Sequence, residues 1–212
     1  MGSEKEFYER YWGGLSSASD RDPIYSARVE ALLGTLRRGI RASGTVLDLG
    51  CGAGEFSAVI GSAGYDVLGV DIADRAISLA RTRNAGVRFD VLGPGGRIPA
   101  RSGAFAAVWT SEVVEHVLDV NGFLREIHRV LEPNGLLILT TPYHGLLKNL
   151  VLCSLWFERH FQPDGPHIRF FDRRGLGRCL DRSGFTPLKW KGLGRVPGFR
   201  RSFFVVARKS SL

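Results

Sequence analysis

Short apolar strands and amphipathic helices alternate through the first 140 residues of this chain, and a glycine-rich turn follows the first strand. Thr45–Leu49 reads as a strand running into glycine, and a helix is expected from Glu55 to about Ala63, where Gly64 stops it. Asp66–Val70 reads as a strand, Asp74–Asn84 as a helix, and Val87–Val91 as a third strand followed by a Gly-Pro-Gly-Gly loop at 93–96. Ala106–Thr110 is a fourth strand, Val120–Leu131 an amphipathic helix closed by Pro133-Asn134-Gly135, and Leu136–Thr140 a fifth strand. Strands this short and apolar, separated by helices, imply a parallel sheet covered on both faces. Upstream, residues 5–12 and about 25–41 read as helices, the second with Val29, Leu32, Leu33 and Leu36 at helical spacing. After Pro142 the pattern changes to an apolar, aromatic helix over about 145–160, a loop with Pro163 and Pro166, and a helix at 173–183. Two strand-like runs near 186–191 and 203–207 finish the chain as an antiparallel pair at the sheet edge, so seven strands are expected in all.

A length of 212 residues suits one domain. The expected organisation is a single domain over 1–212, with a helical cap at 1–42 and an acceptor-covering insertion at 143–170. The formal net charge of +8 is compatible with nucleic acid, an anionic membrane or an acidic small substrate, and does not choose among them. The basic residues gather late: Lys189 to Lys209 contains no acid. Three widely spaced cysteines without a CxxC pair argue against a disulfide framework or a zinc site and suit a reducing, cytoplasmic setting. The first residues carry acids where a signal peptide needs an apolar core. Gly145–Phe157, the most apolar stretch, is too short to span a bilayer, so a soluble protein is expected.

In an open α/β sheet, ligands sit beyond the carboxyl ends of the strands at the switch point, which directs attention to Asp48-Leu49-Gly50-Cys51-Gly52-Ala53-Gly54. Three alternating glycines remove Cβ atoms that would hold a ligand off the backbone. Asp71 ends the next strand seventeen residues after Gly54, where a carboxylate can accept both hydroxyls of a ribose. A dinucleotide fingerprint would need glycine or alanine where this chain has Glu55. Asp48 and Glu55 would also repel a pyrophosphate seeking free helix-terminal amides. They suit S-adenosylmethionine (SAM), which carries an ammonium and a sulfonium and no phosphate.

VLDLGCGAGEF, then GVDIA (Gly69–Ala73), TSEVVEHV (Thr110–Val117) and RVLEPNGLLILTTP (Arg129–Pro142) resemble the class I SAM-dependent methyltransferases. Within them the chain is most similar to the methyltransferase-11/12 type group, which includes ubiquinone-biosynthesis O-methyltransferases and natural-product and surface-polysaccharide enzymes. The match is strong over about 44–142 and looser over His167–Phe185. The resemblance implies an α/β, Rossmann-like doubly wound fold: a mostly parallel seven-stranded sheet with an antiparallel C-terminal strand pair. It also implies SAM as cofactor, with Gly50, Gly52 and Gly54 as the backbone wall around its methionine and ribose. Asp71 would then take the ribose hydroxyls, Ile72 would lie against adenine, and Ser111 would contact the methionine through its backbone. Arg28 matches a position that often reaches the SAM carboxylate, and as a residue of a helix it reads equally as a solvated arginine. The chain departs from the group at Phe105-Ala106, where Phe-Asp is usual, and at Pro133-Asn134-Gly135, where Pro-Gly-Gly is usual. Asn tolerates a left-handed turn, so the second departure is mild.

Methyl transfer is an in-line displacement, and a base that removes a hydroxyl proton assists it. His116 follows the fourth strand, His144 follows the fifth and His167 borders the aromatic segment, so these three are the catalytic candidates; His128, mid-helix, reads as a surface residue. Their spacing makes no ligand set, and no metal is assigned. The apolar run at 145–161 reads either as a core helix or as an acceptor lid and peripheral membrane contact. Aromatics at 7–12 read as a flap over SAM or as a dock for the first helix. The expected activity is methylation of a small-molecule acceptor, favouring oxygen of a sugar, phenol or natural-product scaffold. N- or C-methylation, RNA or protein methylation through the basic C-terminal region, and non-catalytic SAM binding are the competing readings. No separate nucleic-acid module fits in the length, and no Asn-Pro-Pro-Tyr-type motif follows the fourth strand.

Overall fold

The computed structural model describes residues 4–13, 22–155, 157, 168–194, 196 and 199–210. Its centre is a seven-stranded sheet built from β1 (Thr45–Leu49), β2 (Asp66–Asp71), β3 (Arg88–Val91), β4 (Phe105–Ser111), β5 (Leu131–Pro142), β6 (Phe185–Leu193) and β7 (Ser202–Lys209). The strand order is β3-β2-β1-β4-β5-β7-β6. The first five strands are mutually parallel. β7 inserts between β5 and β6 and runs antiparallel to both. Among the described residues seven α-helices flank the sheet: α1 (Glu4–Gly13), α2 (Tyr25–Gly39), α3 (Glu55–Ser62), α4 (Asp74–Arg83), α5 (Val120–Val130), α6 (Leu146–Leu155) and α7 (Arg173–Arg182). The order reverses between β1 and β4, which puts the switch point beside the glycine turn.

Both faces of the sheet are buried. On one, α5 and α7 pack Leu124, Ile127, Leu176 and Leu180 onto Val108, Leu137 and Leu139. On the other, α2 and α3 pack Leu32, Leu36 and Ile60 onto Val46, Trp109 and Ile138. Neighbours such as Val108 and Trp109 serve opposite faces, as the period of two requires. Asp119 and Asp172 cap α5 and α7 by accepting from Gly122 N and Gly175 N. α4 has only Ala73 at its cap position. Its first amides, Asp74 N and Arg75 N, donate instead to the Glu9 carboxylate of α1, at 2.6 and 3.3 Å. Lys5 of α1 pairs with Asp74 at 2.6 Å, so α1 is fastened across the start of α4.

Two segments differ from expectation. α5 ends at Val130, and Leu131 already pairs with Phe105; a bulge then shifts the register to Ala107 opposite Leu136. Pro133 forces its predecessor out of helical conformation, and Asn134 takes φ +64°, so the expected turn is absorbed as a bulge at the head of β5. α6 forms as expected in kind, but none of its residues is buried, which removes the reading as a core helix. Residues 156 and 158–161 of the same apolar run lie outside the described residues. No helix among the described residues is long and apolar enough to cross a membrane.

Candidate active site

The turn after β1 is held by Gly50 N and Cys51 N, which both donate to the Val70 carbonyl of β2. Gly50 and Gly52 have φ +78° and +54°, the left-handed region where a side chain is strained. Crowding adds a second requirement: a Cβ on Gly50 would meet Val113 at 2.4 Å, and one on Gly52 would meet the Trp12 ring at 2.7 Å. Trp12 of α1 therefore lies directly on the turn. Gly54 differs. It caps α3 at φ +85°, and its missing Cβ makes room for Asn84 and Phe89.

A cavity of about 780 Å³ opens over this turn. Asp71, at the end of β2, anchors it. One carboxylate oxygen accepts from Gly52 N and the other from Ala73 N, each at 3.0 Å. Burial raises the Asp71 carboxyl above its usual range, and those amides hold it back. Asp48 sits deeper, accepting from Ser57 Oγ at 2.6 Å. Its burial, opposed by the Ser57 bond and assisted by the charges of Asp71 and Glu55, pushes its pKa up to about 7. Ile72, Leu92, Ile98 and Phe123 line an apolar end of the cavity.

The opposite end is charged. Arg28, buried at 8% exposure, pairs with Asp22 at 2.7 Å and with Glu112 at 3.0 Å. Its Nε is buried without a hydrogen-bond partner. Glu112 adopts φ +54°, uncommon for a residue with a side chain, and also accepts from Ser202 Oγ at 2.7 Å. Ser111 lines the same wall and shares a 2.9 Å hydrogen bond with Thr140.

At the rim stands His116, in edge contact with Tyr8 at 6.0 Å between ring centroids. Behind it Glu115 is fully buried. One of its oxygens accepts from Thr141 Oγ1 at 3.0 Å; the other has no hydrogen-bond partner and lies 3.8 Å from His116 Nε2. Burial, reinforced by the charge of Glu112, holds the Glu115 carboxyl well above the usual carboxylate range.

Of the residues singled out in the sequence, the fold brings Arg28, Asp48, Gly50, Gly52, Asp71, Ile72, Ser111 and His116 to one cavity. Gly54 is not on its wall, because its α-carbon faces β3 and α4. His144 is not on it either: its ring is buried, bonded to Asn149 at 3.1 Å and set edge-on to Phe170. His167 lies outside the described residues. His128 is half-buried against Phe185 rather than a plain surface residue. Sequence reasoning missed Asp22, Tyr25 and Glu112, which also line the cavity. Asp22 and Glu112 carry their meaning only as partners of Arg28, and nothing local announces pairs formed across 6 and 84 residues. No group of three His, Cys, Asp or Glu that could hold a metal ion occurs among the described residues.

Comparison with known proteins agrees with this geometry. The family described as "Methyltransferase domain" matches residues 18–189. A ubiquinone biosynthesis O-methyltransferase of Azorhizobium caulinodans is 39% identical over 155 residues, which are 70% of this chain and 61% of that enzyme, so the chain spans about three fifths of its relative's length. A SAM-dependent methyltransferase of Methanosarcina mazei superposes with TM-score 0.67 at 21% identity, over 82% of this chain and 96% of that one. A protein of Pyrococcus horikoshii superposes with TM-score 0.70 at 24% identity, over 95% and 99%. With a family match over most of its length, a mostly parallel seven-stranded sheet and a glycine turn followed by an acid at the next strand end, the chain belongs to the class I SAM-dependent methyltransferases, with SAM as their cofactor.

Proposed function

We propose that this protein transfers the methyl group of SAM to a hydroxyl oxygen of a small, largely apolar acceptor, in the cytoplasm. The observation that carries this reading is the layout of the cavity: Asp71 and Arg28 line it, and so does His116 with the buried Glu115 beside it. The Azorhizobium relative, named a ubiquinone biosynthesis O-methyltransferase, supports oxygen as the acceptor atom and a phenol ahead of a sugar.

The residues fit the cofactor. Asp71 keeps lone pairs on both oxygens for the ribose hydroxyls, and Gly50 and Gly52 let that sugar reach the backbone. The unpartnered Nε–H of Arg28 is a donor for the methionine carboxylate, with Asp22 and Glu112 fixing the guanidinium. Ser111 lies on the same wall for the methionine moiety, and Ile72 and Leu92 offer a surface for adenine. Gly54 serves the packing of α3. The single domain, with α1 as its cap, is part of the same proposal.

Bound SAM supplies an electrophilic methyl carbon on a positively charged sulfur. His116 takes the acceptor's hydroxyl proton as an oxygen lone pair forms the new C–O bond. With SAM bound, the C–S electron pair would stay with sulfur as the methyl group passes to oxygen, leaving S-adenosylhomocysteine. Buried Glu115, 3.8 Å from His116 Nε2, packs beside the ring and positions it. Tyr8, Val117 and Leu118 enclose the rim and exclude water from the transfer.

A proton-linked effect follows at Asp48. Its free carboxyl titrates near neutrality, and a bound cation favours the ionised form, so SAM binding should release a proton. Affinity is then expected to rise roughly five- to tenfold as pH climbs from about 6 to about 7.5. Calorimetry in buffers of different ionisation heat should detect that proton, and Asp48→Asn should abolish both the release and the rise.

The function itself is tested by mass analysis of products after incubation with SAM and a panel of acceptors. A catechol bearing an alkyl tail should be methylated on oxygen in preference to a free sugar. Methyl incorporation only into RNA or protein would replace this reading. That alternative has an observation of its own, a groove that Arg37 and Arg38 of α2 form with Lys189 and Lys191 of β6. A polyanion held there would be released steeply by added salt.

A further inference from the structure

We infer that Arg169 is a positioning residue for His116, holding the turn that carries that histidine from outside the cavity. β4 ends at Ser111, and residues 112–119 then leave the sheet on their way to α5. Val114–His116 make a single short turn of 3-10 helix on this path, with His116 N donating to the Val113 carbonyl at 2.9 Å. The carbonyls that follow belong to neither a strand ladder nor a helix, so their partners must come from elsewhere in the fold.

Two consecutive residues supply them. Ile168 N and Arg169 N both donate to the Glu115 carbonyl, at 3.2 and 3.1 Å. Arg169 Nε donates to the Val117 carbonyl at 2.9 Å, across 52 residues of chain, and its guanidinium also reaches the Leu118 carbonyl. His116 stands between two of the clasped residues. The clasp has a firm base, because Phe171 is buried with Leu176 and Leu180 of α7 and Asp172 caps that helix through Gly175 N. On the inner side the same turn is tied to β5, where Thr141 Oγ1 donates to the Glu115 carboxylate.

The His116 ring lines the cavity, whereas Arg169 is not on its wall. Arg169 therefore acts on the reaction through the turn and not by touching acceptor or cofactor. The geometry also asks for arginine. A planar guanidinium presents Nε–H and a terminal N–H in one fixed fork and meets two successive carbonyls at once, while a lysine ammonium is a point donor on a flexible stem. A reacting group displaced by about an ångström can cost on the order of 10²-fold in rate, even when the mutation lies far from the chemistry. The kinetic consequence rests on reading His116 as the base; the ordering of its ring by Arg169 does not.

The test uses Arg169→Ala and Arg169→Lys, each alone and combined with His116→Ala, with an alkyl catechol as acceptor. Arg169→Ala should lower kcat roughly ten- to hundredfold, with acceptor KM little changed and calorimetric SAM affinity unchanged. Arg169→Lys should recover part of that loss, and neither variant should lower kcat further once His116 is alanine. The imidazole carbon–proton resonance of His116 should be a single line in the native chain and broaden or split in Arg169→Ala, while that of His128 stays as it is. An unchanged His116 resonance overturns the inference. So does native kcat in Arg169→Ala beside an impaired His116→Ala, an equal loss of kcat in the His116→Ala background, or a fall of both SAM affinity and melting temperature in both variants. If His116→Ala itself keeps the native kcat, the base reading fails, and the His116 resonance alone decides whether Arg169 holds the ring.

Discussion

Asp71→Ala is expected to weaken SAM binding by about tenfold or more, because two ribose hydroxyls lose a shared charged acceptor, each such bond being worth roughly 1.5–3 kcal/mol. The same carboxylate also receives Gly52 N and Ala73 N, so its removal loosens the turn as well as the ligand. Asp71→Asn separates the two effects. The amide keeps one carbonyl oxygen for a backbone donor, while its NH2 cannot accept from a hydroxyl. The Asn variant keeps one of the two backbone bonds, so it should melt between Asp71→Ala and the native chain and still bind SAM far less tightly. An adenosine fragment should lose affinity in parallel, whereas methionine alone should not. If both variants bind SAM as the native chain does, the ribose is not at Asp71.

What the sequence made legible, and what it hid, divides along a physical line. Local periodicity located every strand to within one or two residues, except that β5 begins at Leu131, five residues before the expected start. Strand composition and period are properties of neighbouring residues, and so are readable in one dimension. The antiparallel edge pair was readable for the same reason, being two apolar runs after the alternation had ended. The glycine turn and Asp71 were readable because their spacing is fixed by one strand–turn–helix–strand unit. By contrast, the cap on α4 comes from Glu9, sixty-five residues away from Asp74. The acids around Arg28 come from a loop and from the end of β4. Such partners meet only once the sheet is assembled. His144 shows the converse. Its place after a strand at the ligand edge suggested chemistry, but α6 turns back and takes the ring into packing. α6 itself was ambiguous because an apolar helix looks alike whether its face is covered or open; exposure, which a sequence does not carry, separates the two.

His116→Ala is expected to lower kcat by roughly 10²–10⁴, the range for losing a positioned base, and to leave SAM affinity unchanged. The split follows from position: His116 stands at the rim, while the turn and Asp71 are separate from it in the chain and bonded to other partners. Glu115→Gln probes the group behind it. Glutamine preserves the acceptor that Thr141 uses and replaces the buried oxygen that lies 3.8 Å from His116 Nε2. If Glu115 acts only by positioning that ring, Glu115→Gln should lower kcat in the native background and add nothing to the loss in His116→Ala. Retention of native kcat in His116→Ala would show that the cavity needs no base there, and that holding the acceptor in line with the methyl group supplies the rate.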